Sequence, residues 1–205
     1  MAVTEEHKLT PKGLATRERI VEAAAELIYL HGVHATNNDL VRKAARVSGS
    51  QLSHYFPDKE SLIRAVLAWR ADSMMGLRET PPRGDLDSIA ALHTWADSFL
   101  NQETVLAGGC SFGSLASEVM KTDLDVHDEI AIGFGRWQQQ FRAGLAAMRD
   151  RGDLRRDADI EYLAHALMAA FQGGTLLAQA AQDTAPLRDA LYAAIAHVES
   201  FAPPR

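Results

Sequence analysis

Apolar residues recur three and four positions apart along almost the whole chain, and no segment alternates as a half-buried strand would. The pattern predicts helices only. Ile20, Ala24, Leu27 and Ile28 stripe a first helix that begins between Thr10 and Thr16, with Gly32 as its stop. Asn37 or Asn38 caps a short second helix with Leu40, Val41, Ala44 and Ala45 turned inward. Arg46-Val47-Ser48-Gly49 makes a tight corner. A third, very short helix starts at Ser48 and ends near Phe56, where Pro57 disfavours helical geometry. Asp58 caps a fourth helix carrying Leu62, Ile63, Val66, Leu67 and Trp69.

TPPRGD at Thr80–Asp85 is the clearest linker. Beyond it, Ile89, Leu92, Ala96, Phe99 and Leu100 mark a fifth helix, and Gly108-Gly109-Cys110 breaks the pattern before a sixth with Phe112, Leu115, Ala116 and Val119. A seventh is capped by Asp125, striped by Ile130, Phe134, Trp137, Phe141, Leu145 and Met148, and stopped at Gly152. Asp159 opens an eighth through Leu163, Leu167 and Phe171; Pro186 sits in the first turn of a ninth with Leu187, Leu191, Ile195 and Val198 inward. The expected fold is all-α with about nine helices, divided into residues 1–70 and 71–205.

Charge sharpens that division. Residues 1–70 hold ten Lys and Arg against eight Asp and Glu (+2), and the rest hold eleven against nineteen (−8), matching the total of −6. A basic head on an acidic body suits a DNA reader joined to a sensing domain. The single Cys110 excludes an intramolecular disulfide and fits a reducing cytoplasm; no apolar run reaches membrane-span length, and the first residues do not form a signal peptide. No P-loop, dinucleotide loop, Ser/His/Asp set or paired carboxylate–His motif points to an enzyme, and neither a cofactor nor a metal is expected. His93/Asp97 and Glu161/His165 stand one helical turn apart, a spacing more typical of local pairs than of metal ligands.

The second helix, corner and third helix span about twenty residues. So short a third helix is marginal alone and must be held by packing, with Val41, Ala45, Val47 and Leu52 as the clasp. This is a helix-turn-helix, whose later helix presents its N-terminal side chains to the major groove. Its exposed face would be Gly49, Ser50, Gln51, Ser53 and His54. Gln51 can pair with adenine, or close a capping box with Ser48, since Ser-x-x-Gln is that signature.

Residues 16–67 resemble the DNA-binding domain of the TetR family of transcriptional regulators. The matching pieces are Ile20, Ala24 and Leu27, then Gly32, Thr36, Val41, Ala45, Val47-Ser48, Leu52, Tyr55-Phe56 and the Lys59-Glu60-x-Leu62 close. The resemblance implies that Tyr55 and Lys59 grip phosphates and that Gly49, Ser50, Gln51 and His54 face the groove. Asn37, Asn38, Arg46, Ser48 and Ser53 complete the residues expected at the DNA. Arg46 stands where glycine is usual, at a cost of about 1 kcal/mol if its backbone is left-handed. Ser53 replaces a common tyrosine, and Asn37 a common threonine.

The resemblance further implies a C-terminal helical ligand-binding and dimerisation domain. GGCSFGSLASEV and Phe171-Gln172-Gly173-Gly174 resemble segments of such regulators. Trp95, Phe99, Cys110, Phe112, Phe134, Trp137, Phe141 and Phe171 are the expected lining of an apolar effector pocket, each with ordinary core packing as its alternative. Leu167, Phe171, Gly174, Leu191 and Ile195 are the expected dimer contacts. Cys110 is open to two readings, a small buried hydrophobe or a thiol at a helix start that senses electrophiles. The implied function is a cytoplasmic, homodimeric repressor on a palindromic operator, released by a small molecule or, alternatively, by a thiol reagent.

Overall fold

The computed structural model describes residues 9–74, 85–101 and 103–204, so all of the expected linker except Asp85 lies outside the described residues. Ten helices run through them in the order α1 (Pro11–Ala35), α2 (Asn38–Ala44), α3 (Gly49–Tyr55), α4 (Lys59–Met74), α5 (Ile89–Leu100), α6 (Glu103–Gly108), α7 (Ser111–Val119), α8 (His127–Arg151), α9 (Ile160–Ala181) and α10 (Ala185–Glu199). No strand occurs among the described residues. None of these helices is long and apolar enough to cross a membrane.

The chain forms two compact units, Met1–Arg70 with Leu115–Ile130, and Ala71–Ser114 with Ala131–Arg205. Residues 115–130 thus return to the first unit, an excursion that a single boundary after residue 70 does not contain.

In the first unit, Ile20, Val21, Ala24, Ala25 and Ile28 of α1 are buried, as are Val41, Ala45, Val47, Leu52 and Phe56 around α2 and α3. Leu62, Ile63, Val66 and Leu67 of α4 complete that core. Leu40 and Ala44 point outward instead, because a seven-residue helix packed on α1 and α3 has room for only one narrow inward stripe. Gly32, at φ 81° and ψ 167°, breaks the regular helix where the sequence places its stop, and a short turn beyond the break carries α1 on to Ala35.

In the second unit, α9 packs along α10, α10 also meets α5, and α6 meets α9. A Cβ at Gly174 would stand 3.0 Å from Leu187 Cα, so this glycine lets the α9 and α10 backbones approach closely. α8 begins at His127 rather than on a cap at Asp125, and Gly152, at φ 85°, follows its end. Asp159 caps α9 through Tyr162 N–H (3.1 Å), and Pro186 lies in the first turn of α10.

Candidate nucleic-acid interface

Two caps and a peg hold the helix-turn-helix. Asn37 Oδ1 accepts from Leu40 N–H (3.0 Å), and Asn38 is the exposed first residue of α2. At α3 the capping box is complete: Ser48 Oγ accepts from Gln51 N–H (3.1 Å), and Gln51 Oε1 accepts from Ser48 N–H (2.9 Å). Ser50 Oγ adds a contact to Ser48 Oγ at 2.9 Å. Leu52 is the peg, 3% exposed, and it leaves Gly49, Ser50, Gln51, Ser53 and His54 facing outward.

The corner adopts the geometry that usually calls for glycine. Arg46 sits at φ 53°, exposed, and Arg19 Nε donates to the neighbouring Ala45 carbonyl at 2.8 Å. Tyr55 is half-buried, edge-on to His54 at 5.0 Å, with its hydroxyl close to Gly13 near the start of α1. Lys59 is exposed, and its Nζ donates to the Val33 carbonyl at 2.9 Å. Asp58 caps α4 by accepting from Ser61 N–H at 2.7 Å. The Ser61 backbone and hydroxyl groups hold the Asp58 carboxyl below its usual pKa. The DNA residues expected from sequence therefore gather on α2, α3, their corner and the start of α4. Gln51 is engaged in its cap, so reading adenine with both amide atoms would require opening that box.

Two clasps on the Leu115–Ile130 segment have no local signal in the sequence. Glu118 Oε2 accepts from Val33 N–H at 2.7 Å. Arg64 reaches Glu60 (2.9 Å), Glu129 and the Asp125 carbonyl; hydrogen bonds to Glu60 and Glu129 raise its pKa.

In the second unit, Trp95, Phe99, Trp137, Phe141 and Phe171 meet in one cluster with ring centroids 4.6–5.6 Å apart. Phe112 and Phe134 form a separate pair at 4.8 Å. Cys110 is 6% exposed and its Sγ accepts from Gly113 N–H (3.3 Å) and the Gln172 amide (3.5 Å). A groove of about 340 Å³ lies elsewhere, between Leu86 and α8, lined by Gln140, Ala143, Gly144 and Ala147. Glu161 pairs with Arg142 (2.7 Å) and Asp97 accepts from the Tyr192 hydroxyl (2.6 Å), so both carboxylates of the two His pairs are engaged locally.

The expected dimer contacts need correction. Leu167, Leu191 and Ile195 are 0% exposed, Phe171 is 1% exposed, and Gly174 lies against Leu187. These residues are consumed inside their own chain. The outward apolar residues of α9 and α10 are Leu176 (66% exposed), Leu177, Tyr162 and Tyr192, with Ala169, Gly173 and Ala180 beside them.

Residues 20–66 match the family model described as bacterial regulatory proteins of the tetR family, and residues 86–194 match that of the tetracyclin repressor-like C-terminal domain. A helix-turn-helix-type transcriptional regulator in the lacX 3' region of Lactococcus lactis subsp. lactis is 28% identical over 82% of this chain and 85% of its own length. The transcriptional repressor DhaR of Mycobacterium sp. strain GP1 is 23% identical over 83% and 86%. Among solved structures, a TetR-family regulator from Cytophaga hutchinsonii superposes with a TM-score of 0.81 at 16% identity, covering 97% of this chain and all of its own. Escherichia coli NemR in its reduced form gives 0.73 at 23% identity, covering 92% and 97%. The two family models, together spanning most of the chain around a capped recognition helix, establish that this protein belongs to the TetR family of helix-turn-helix transcriptional regulators.

Proposed function

We propose that the protein is a cytoplasmic homodimeric repressor. It would hold a palindromic operator through α3 of each protomer and release it when a small apolar effector inserts among the rings of the second unit. The observation that carries this reading is the face of α3. A helix of seven residues is capped by its Ser48–Gln51 box and pegged by Leu52, so it presents a rigid row of small and polar groups. Such a row fits the major groove, where Ser50 and His54 reach base edges while Tyr55, Arg46 and Lys59 approach phosphates.

Two copies follow from the need to read two half-sites about 34–36 Å apart, or a multiple of that. The outward side of α9 and α10 supplies the surface, since Leu176, Leu177 and Tyr192 stand exposed where a two-fold partner would cover them. Repression is the natural output, because a protein seated on a promoter blocks polymerase with no further partner. The effector reading rests on Trp95, Phe99, Trp137, Phe141 and Phe171, whose mutual packing an apolar molecule would replace ring for ring.

The test is retardation of the DNA flanking the protein's own gene, followed by an effector screen on that complex. Retardation at low salt that survives random competitor DNA is expected; none would overturn the reading. Compounds that raise the melting temperature of the free protein should be those that release the DNA.

Release by a thiol reagent is a second reading, favoured by the two N–H donors aimed at Cys110 Sγ, which would stabilise a thiolate. Fast labelling of the native protein by N-ethylmaleimide, with loss of DNA binding that Cys110→Ser abolishes, supports it. Labelling only after unfolding leaves Cys110 as core packing.

A further inference from the structure

Both backbone polar groups of Val33 are held by charged side chains of opposite sign. Val33 is 1% exposed and follows the kink at Gly32, so its N–H and carbonyl need partners within the protein. Glu118 Oε2 takes the N–H at 2.7 Å, a short charge-assisted bond. Lys59 Nζ donates to the carbonyl at 2.9 Å. A Cβ on Gly32 would approach Glu118 Oε2 to 3.0 Å, so the residue that permits the kink also leaves space for the carboxylate.

An ammonium has three donors, and the tether to Val33 uses one. Lys59 is exposed, so the remaining two face water in the free protein. A long flexible side chain held at one point spends less freedom on meeting a phosphate than an unrestrained one. The place where that point lies is set by Val33, and Val33 is set by Glu118.

We propose that Glu118 is a positioning residue for DNA binding: by holding the Val33 N–H it fixes the carbonyl that tethers Lys59, and so sets where the ammonium meets the DNA backbone. The proposal rests on Lys59 as a phosphate contact. It gives a negative residue, 85 positions from Val33 in sequence, a constructive part in binding a polyanion.

Geometry and charge can be separated with two variants of the full-length protein. Glu118→Asp keeps the charge but is one methylene too short for the N–H. Glu118→Gln keeps the reach and an acceptor oxygen but removes the charge. Affinity for a random-sequence duplex is measured across a salt series, with melting temperatures alongside. Lys59→Ala should flatten the salt slope by about one unit, the signature of one lost phosphate. Glu118→Asp should flatten it by a similar amount, Glu118→Gln should leave it as in wild type, and Glu118→Asp with Lys59→Ala should be no flatter than Lys59→Ala alone. If Glu118→Asp keeps the wild-type slope while Lys59→Ala loses it, the positioning role is refuted and the phosphate contact stands. If Lys59→Ala itself leaves the slope unchanged, the phosphate contact is refuted and the positioning role falls with it. A changed slope in Glu118→Gln with a wild-type slope in Glu118→Asp would make Glu118 a matter of charge alone. A lower melting temperature in both variants with unchanged slopes would make it purely structural.

Discussion

Replacing Leu176 by alanine should dissociate the dimer without unfolding the protomer. Leu176 leaves 66% of its surface in water on the outward side of α9. Fully burying a leucine side chain is worth about 1.5–3 kcal/mol, so covering the remaining two-thirds contributes about 1–2 kcal/mol per protomer. A two-fold interface counts the residue twice, giving about 2–4 kcal/mol. At 1.4 kcal/mol per factor of ten, the dimer constant should weaken by about 30- to 700-fold. Leu191→Ala is the control: Leu191 is 0% exposed inside its own chain, so its loss should cost about 2–5 kcal/mol of folding stability. Sedimentation velocity over a dilution series separates the two, since Leu176→Ala should shift the monomer–dimer midpoint at nearly constant melting temperature. A wild-type midpoint in Leu176→Ala, or a wild-type protein that is monomeric at micromolar concentration, would refute this interface.

Three further outcomes follow from the same geometry. Gln51→Ala opens the capping box and should lower stability by something like 1 kcal/mol even without DNA, whereas Gln51→Glu keeps the box and should leave the melting temperature unchanged. Asp58 has a folded pKa below its unfolded value of 3.8, so it stabilises the fold above that value and loses the contribution as pH falls through the lower folded one. Asp58→Asn should therefore flatten the acid limb of the melting curve below about pH 4; an unchanged limb counts against the cap. Phe171 touches Trp95, Phe99 and Trp137 and is 1% exposed, so Phe171→Ala should cost about 3–5 kcal/mol in thermal or urea unfolding. A loss below about 1 kcal/mol would mean that the cluster is loosely packed.

The helices were legible because their stripes run for several turns, and their starts because caps are local. Ser48 with Gln51, Asp58 and Asp159 each signal within three residues of the bond they make. α6 escaped because six residues are fewer than two turns and show no period. The α9 stripe was readable but its destination was not. Leu167 and Phe171 face inward while Leu176 and Leu177 face outward, and apolar spacing alone cannot say which side meets its own chain. Arg46 was legible as a left-handed corner, because family spacing placed a non-glycine residue where glycine is usual. Arg64 showed only its pairing with Glu60 one turn back, and Glu118 left no local trace: Glu129, the Asp125 carbonyl and Val33, which these two side chains reach, lie more than sixty residues away, and a glutamate near a DNA reader resembles any solvated charge.

Selection of bound sequences from a random duplex library tests the central claim most directly, because the library contains every candidate operator at once. Wild type should enrich a palindrome whose half-sites lie about 10–10.5 base pairs apart, centre to centre, or a multiple of that. Ser50→Ala or His54→Ala should change the preferred bases within each half-site while leaving the spacing intact. A library that stays random, or an enriched motif with no two-fold symmetry that these α3 substitutions leave unchanged, would contradict the account.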